Sequence, residues 1–156
     1  MTVRSAWLSF AATTIAVGVP ALAFAQLPSS FQTPGNKSKA TEAQVCAADY
    51  EASVKPMAKW QKEQALERYG KRPEDFTGEL DHLIPISLGG TNDPDNIWPI
   101  PANKDMGPEQ KKELDAKLHE LVCNKTIKLK DAQDQIKKDW VKAYNEYVKG
   151  GPKTTK

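Results

Sequence analysis

The 156-residue chain has the length of one domain, and 22 Lys and Arg against 20 Asp and Glu leave a net charge of +2. So even a balance singles out no charged partner on its own. The two cysteines have no C-x-x-C spacing, which argues against a zinc centre.

Residues 1–25 read as a secretory signal peptide. Arg4 supplies a positive start, an apolar run follows, and Ala23-Phe24-Ala25 forms an A-x-A cleavage pattern before Gln26. An uncleaved membrane anchor is the rival reading, but the run is short, Ala-rich and ends in that pattern. No later run approaches membrane-spanning length. The mature chain is therefore expected in the periplasm or outside the cell, with no membrane contact after cleavage. In such an oxidising compartment Cys46 and Cys123 are expected to close one disulfide, contributing at most roughly 4 kcal/mol in the chain-entropy picture. Two buried free thiols are the alternative.

Residues 26–40, QLPSSFQTPGNKSKA, are rich in Pro, Ser, Gly and Lys and are expected to form a disordered leader. The domain proper is placed at residues 41–149. Thr41 and Gln44 make a capping box for a short helix toward Cys46. PMAKWQKEQALERYG predicts a helix from Pro56, stopped by Gly70. Leu80, Leu83, Ile84 and Ile86 have strand composition, with Pro85 demanding an edge or a bend. Gly89-Gly90 and TNDPDN carry turn chemistry, and Ile97-Trp98 begin a second short strand. GPEQKKELDAKLHELVC predicts a helix with Leu114, Leu118, Leu121 and Val122 on one face. A long amphipathic helix follows, with Ala132, Ile136, Trp140, Tyr144 and Tyr147 at steps of four or three. Residues 150–156 should fray as a disordered tail. The class is α+β with little β, a mostly helical small domain around a short two-stranded element.

Charge is more informative when divided. Residues 41–110 hold 7 basic and 13 acidic side chains, and residues 111–156 hold 12 and 7. A lysine-rich C-terminal third could steer a polyanion toward an acidic pocket. It could equally coat the solvent faces of two helices.

The chemistry concentrates in GELDHLIPISLGGTNDPDNIWPIP, residues 78–101. Asp81 and His82 point to opposite faces of a strand but can approach one site where the strand ends and bends. Glu79 shares a face with Asp81. A carboxylate suits a hard divalent cation, and an imidazole suits a general base that activates water. Asn96 returns an amide able to fix the loop or the imidazole.

DHLIPISLGGTNDPDNIWP resembles the core of an HNH endonuclease, in the D-H-x-x-P…G-G…N-L-W-P form of the ββα-metal fold. KLHELVC and DAQDQIKKDWVKAY extend the likeness to small secreted bacterial proteins, over about residues 41–148. The resemblance implies that His82 deprotonates water for attack on a phosphodiester, with Asn96 holding the loop and orienting His82. Glu79 would match a recurrent acidic position in the catalytic set. Asp81 would bind a divalent metal, Mg²⁺ by its oxygen donors. No histidine stands at the family's final His or Asn position. Asp105, Asn103 and Glu109 are the candidates for the second metal ligand, and Asp105 has nearly the usual spacing. Lys104, Lys111, Lys112 and Lys117 would contact phosphates of DNA or RNA without reading sequence. His119, beside Leu118, reads as a helix-surface or packing residue.

Three functions follow as expectations. The first is an exported metal-dependent endonuclease of low sequence specificity. The second is a non-catalytic binding module on a degenerate HNH scaffold, which the missing third ligand favours. The third is a structural envelope protein in which Asp81 and His82 are a satisfied core pair. No residue identifies an immunity or inhibitor protein as partner.

Overall fold

A short hairpin and the two long helices packed on it organise the protein. The computed structural model describes residues 27–102 and 105–150. The signal-peptide reading thus lies outside the described residues, as do Asn103, Lys104 and all of the expected tail but Gly150. The architecture is α+β. Helices α1 (Glu42–Val45), α2 (Tyr50–Ser53) and α3 (Lys59–Arg68) precede strands β1 (Glu79–His82) and β2 (Ile97–Ile100). Helices α4 (Pro108–Cys123) and α5 (Leu129–Tyr144) follow, the latter continuing into a π-helical turn at Asn145–Lys149. Among the described residues no helix is long and apolar enough to cross a membrane.

Local chemistry accounts for the helix ends. Thr41 and Gln44 form the expected capping box on α1. Helix α3 begins at Lys59 rather than Pro56, with the Ala58 amide donating to Gln61 Oε1 at 2.8 Å. It ends in a Schellman arrangement. Lys71 N–H reaches Leu66 C=O at 3.0 Å and Gly70 N–H reaches Glu67 C=O at 2.9 Å, while Gly70 sits at φ +62°. Helix α4 closes the same way, Thr126 to Leu121 and Lys125 to Val122, but Lys125 takes the left-handed position at φ 62°. The last long helix is not continuous. Asp139 leaves helical geometry and its carboxylate accepts from Lys142 N–H at 2.9 Å, capping the final turns.

The strands pair antiparallel, Glu79 opposite Ile100 and His82 opposite Ile97. Strand β1 is shorter than its apolar composition suggests. Beyond His82 the chain bends, Leu83 and Ile84 plunge into the core, and Pro85 opens a 3₁₀ turn at Ile86–Leu88. Ile84 finds its hydrogen-bond partners in the side chain of Asn96 instead of a neighbouring strand. Gly90 passes close by. A Cβ there would lie 1.8 Å from the Ile84 carbonyl oxygen, so no larger residue fits.

One core joins the hairpin to α4 and α5. Leu83, Ile84, Leu88, Trp98 and Ile100 meet Leu114, Leu118, Val122, Ile136 and Trp140, all at most 3 % exposed. Burying such side chains contributes about 1.5–3 kcal/mol each. The Cys46–Cys123 disulfide ties the end of α1 to the end of α4 across 77 residues, with Cα atoms 5.5 Å apart.

The expected disordered leader requires correction. Thr33 is fully buried, its hydroxyl 2.7 Å from the Tyr69 hydroxyl and donating to Ile97 C=O at 3.2 Å. Gly35 N–H donates to Asp95 C=O, Ser38 N–H donates to Gly89 C=O, and Lys37 bridges to Gly90. The segment lacks apolar periodicity because backbone and hydroxyl bonds to the 89–97 loop, rather than a greasy face, hold it.

Candidate functional site

The end of β1 and the first turns of α4 wall a cleft of about 440 Å³. Asp81 and His82 line it together, as do Ser87, Lys112, Asp115 and His119, with Glu51 entering from α2. Adjacent strand residues reach one cavity because the strand stops at His82 and the chain turns there. Both histidines of the chain therefore face the same space.

Asn92, not Asn96, holds the His82 ring. His82 Nε2 lies 2.8 Å from Asn92 Oδ1, and Asn92 Nδ2 donates to the Lys55 carbonyl at 2.7 Å. The Lys55 carbonyl can only accept, so the amide nitrogen must face it and the amide oxygen must face the ring. His82 is consequently a donor at Nε2, which leaves the lone pair on Nδ1. Asn96 is fully buried beneath this loop. Its Oδ1 accepts from Ile84 N–H at 2.9 Å, and its Nδ2 donates to the carbonyls of Ile84 and Thr91 at 2.8 and 2.9 Å. Holding the loop and orienting the imidazole, expected of one residue, are divided between two.

Lys111 also requires correction, from a phosphate contact to an internal cation. It occupies the first turn of α4, where its side chain points back under the end of β1. Its side chain has no exposure. Nζ donates to the His82 carbonyl at 3.0 Å and to both Asp115 oxygens at 2.8 Å, and lies 3.3 Å from Asp81 Oδ2. That last contact is within ion-pair range but is not aligned as a hydrogen bond, and Asp81 Oδ2 is buried with no hydrogen-bond partner. Burial opposes the Lys111 charge, yet the carboxylates of Asp115 and Asp81 outweigh it and raise its pKa above the usual lysine range. One ammonium cannot neutralise two acids. Burial, with Asp81 and Glu51 nearby, pushes Asp115 up to about 7 against the pull of Lys111.

The remaining expected residues lie apart. Glu79 lines a different hollow of about 560 Å³, beside Met57, Leu66 and Phe76. Asp105 is exposed in the bend before α4 and does not line the cleft. Glu109 is exposed on the first turn of α4. Lys117 pairs with Glu120 at 2.9 Å. Of the described lysines assigned to phosphate, Lys112 lines the cleft.

Among the described residues one set of three His, Cys, Asp or Glu side chains gathers its ligand atoms within 4.8 Å of one another and could hold a metal ion: Cys46, His119 and Cys123. Asp81, His82 and Asp105 do not form such a group. His119 Nε2 lies 3.0 Å from the Val45 carbonyl and 3.3 Å from Cys123 Sγ, so it is more than a packing residue. The i,i+4 spacings of Lys111 with Asp115 and His119 with Cys123 were the available signals for both clusters. Asn92, inside a run of turn residues, gave none.

Fold and site define a small disulfide-linked α+β domain with an acidic, two-histidine cleft. No family model matches the chain, and neither the curated proteins nor the solved structures contain a match.

Proposed function

We propose that the chain is an exported phosphodiester hydrolase of the HNH endonuclease type, acting on DNA or RNA with little sequence preference. The state of His82 carries this reading. Its half-buried ring lines an open cleft, Asn92 holds Nε2–H, and the Nδ1 lone pair is left to accept a proton. An imidazole in that tautomer can deprotonate a water for attack on phosphorus. Asn92 limits rotation of the ring, which keeps the base aligned. Lys111 holds the His82 carbonyl and both neighbouring acids, and so locks the end of β1 against α4. Lys112 at the rim would meet a phosphate of the substrate strand.

The divalent cation of such an enzyme, Mg²⁺ as the type, would fall to Asp81 and Asp115, two carboxylates facing one ammonium, and it would have to displace Lys111, which bonds both Asp115 oxygens and lies 3.3 Å from Asp81 Oδ2. A cation bound there would polarise the phosphate and stabilise the leaving oxygen. The reading needs neither Glu79 nor Asp105. The A-x-A pattern after a basic, apolar start and the Cys46–Cys123 disulfide support export.

A second reading rests on Lys111. Its ammonium already occupies the space between the two acids, as an internal cation would in a non-catalytic module on the same scaffold. Plasmid relaxation separates the two. With Mg²⁺ the purified chain should convert supercoiled plasmid to nicked circles, and His82→Ala should abolish nicking without lowering the melting temperature. A wild-type chain that is inert with Mg²⁺, Mn²⁺ and Zn²⁺ would leave only the binding module.

A further inference from the structure

Cys46, His119 and Cys123 come together from two distant parts of the chain. His119 and Cys123 stand four residues apart on α4 and so share one face, a turn apart. Cys46, the C-cap of α1, arrives from 77 residues away. In a tetrahedral zinc site, with Zn–S near 2.3 Å and Zn–N near 2.0–2.1 Å, nitrogen and sulfur ligands lie about 3.6 Å apart and two sulfurs about 3.8 Å. His119 Nε2 is already 3.3 Å from Cys123 Sγ, and all three ligand atoms lie within 4.8 Å. The main movement is that of the two sulfurs, which must separate from a bond to a non-bonded contact while the imidazole shifts to suit. The three side chains are half-buried, and His119 opens onto the cleft, which gives an ion a route in.

We propose that this cluster is a redox-gated site for a thiolate-seeking divalent cation, with zinc as the type. A dithiol or phosphine reductant breaks the Cys46–Cys123 bond, supplying two electrons while two protons complete the thiols. Binding the cation then releases both thiol protons. His119 gives up its Nε2–H contact to the Val45 carbonyl and keeps its proton on Nδ1 instead. Disulfide and cation are alternative occupants of one place. Each ties α1 to α4, so the crosslink survives reduction wherever the cation is present. Three protein ligands leave a fourth position for water or another donor. None of this depends on the hydrolytic reading.

The test is a titration of the full chain, reduced without oxygen, using Co²⁺ as a spectroscopic probe and Zn²⁺ as competitor. One equivalent of Co²⁺ should bind with a thiolate-to-cobalt charge-transfer band, and Zn²⁺ should displace it. The helical circular dichroism should be retained and the melting temperature raised over the reduced, metal-free chain. The oxidised chain should show no such band, and reduced His119→Ala should bind more weakly by more than about tenfold. The proposal is overturned if the reduced chain binds no more Co²⁺ than the oxidised chain. It is overturned equally if His119→Ala binds as tightly, or if binding accompanies loss of the helical signal, since unfolded thiols would then be the ligand.

Discussion

His82 and Asn92 meet at 2.8 Å, Nε2 to Oδ1, and the far end of the same amide is fastened to the Lys55 carbonyl at 2.7 Å. This second bond decides which way the amide points and hence which ring nitrogen keeps its proton. Asn96, four residues on, has the same side chain and a different task, because all three of its bonds go to backbone groups.

Substitution should separate those tasks. Asn92→Ala should lower the nicking rate by about tenfold to a hundredfold, part of the contribution of a positioned base, with little change in melting temperature. Asn96→Ala should cost about 3 kcal/mol or more, because it strips partners from the buried N–H and C=O of Ile84. Denaturant unfolding of both variants beside the plasmid assay would check the division. Equal loss of stability in the two would contradict it.

Removing the internal cation should be severe. Lys111→Met leaves Asp81 and Asp115 facing each other without an ammonium, and breaking a buried pair this way costs about 3–5 kcal/mol at neutral pH. The loss should be largest above neutral pH and shrink as pH falls through about 7, where Asp115, already raised by burial, takes up a proton. A deficit of the same size at every pH would mean that lost packing, not stranded charge, is responsible.

Asp115 sets a pH dependence with a definite sign. Its folded pKa is raised from 3.8 to about 7, so the folded state holds the proton more tightly than the unfolded state. That contribution is fully present below pH 3.8 and is lost as pH rises through about 7. Lys111 is raised as well, and its contribution persists until the pH passes the ordinary lysine range. Melting temperatures measured from pH 4 to pH 8 should therefore include a fall attributable to Asp115. The difference between the wild type and Asp115→Asn should change with pH across that window, and a constant difference would refute the assignment.

Lys125 offers a gain. It occupies the left-handed position that glycine fills after α3, and its Cβ makes that conformation unfavourable. Lys125→Gly should raise stability by about 1 kcal/mol, read as a higher denaturant midpoint at unchanged slope.

Much of the fold was legible because its signals are local. The capping box at Thr41, the leucines of α4 and the Ala132–Tyr144 stripe of α5 each depend on neighbours within a few turns. Gly89-Gly90 and the asparagines likewise announced a braced turn before Ile97. The leader failed this test because Thr33, Gly35 and Ser38 bind distant backbone, which leaves no periodic trace. Of the residues that line the cleft, Asp81 and His82 stood out in the sequence and the others did not. Lys111 resembled its surface neighbours Lys112 and Lys117 until the fold placed two acids around it. His119 lay 73 residues from Cys46, and the C-x-x-C criterion cannot detect a set assembled across that distance. Asn92 and Asn96 stood in one polar run, where only the course of the backbone assigns one to the ring and the other to the chain.

The central claim is that neutral His82 carries its proton on Nε2 and keeps the Nδ1 lone pair as the base, and nitrogen NMR of the imidazoles reads this most directly. The account predicts the Nε2–H tautomer for neutral His82, becoming a mixture of tautomers in Asn92→Ala. A neutral His82 carrying its proton on Nδ1 would contradict it, because the nitrogen required to accept a proton would already hold one.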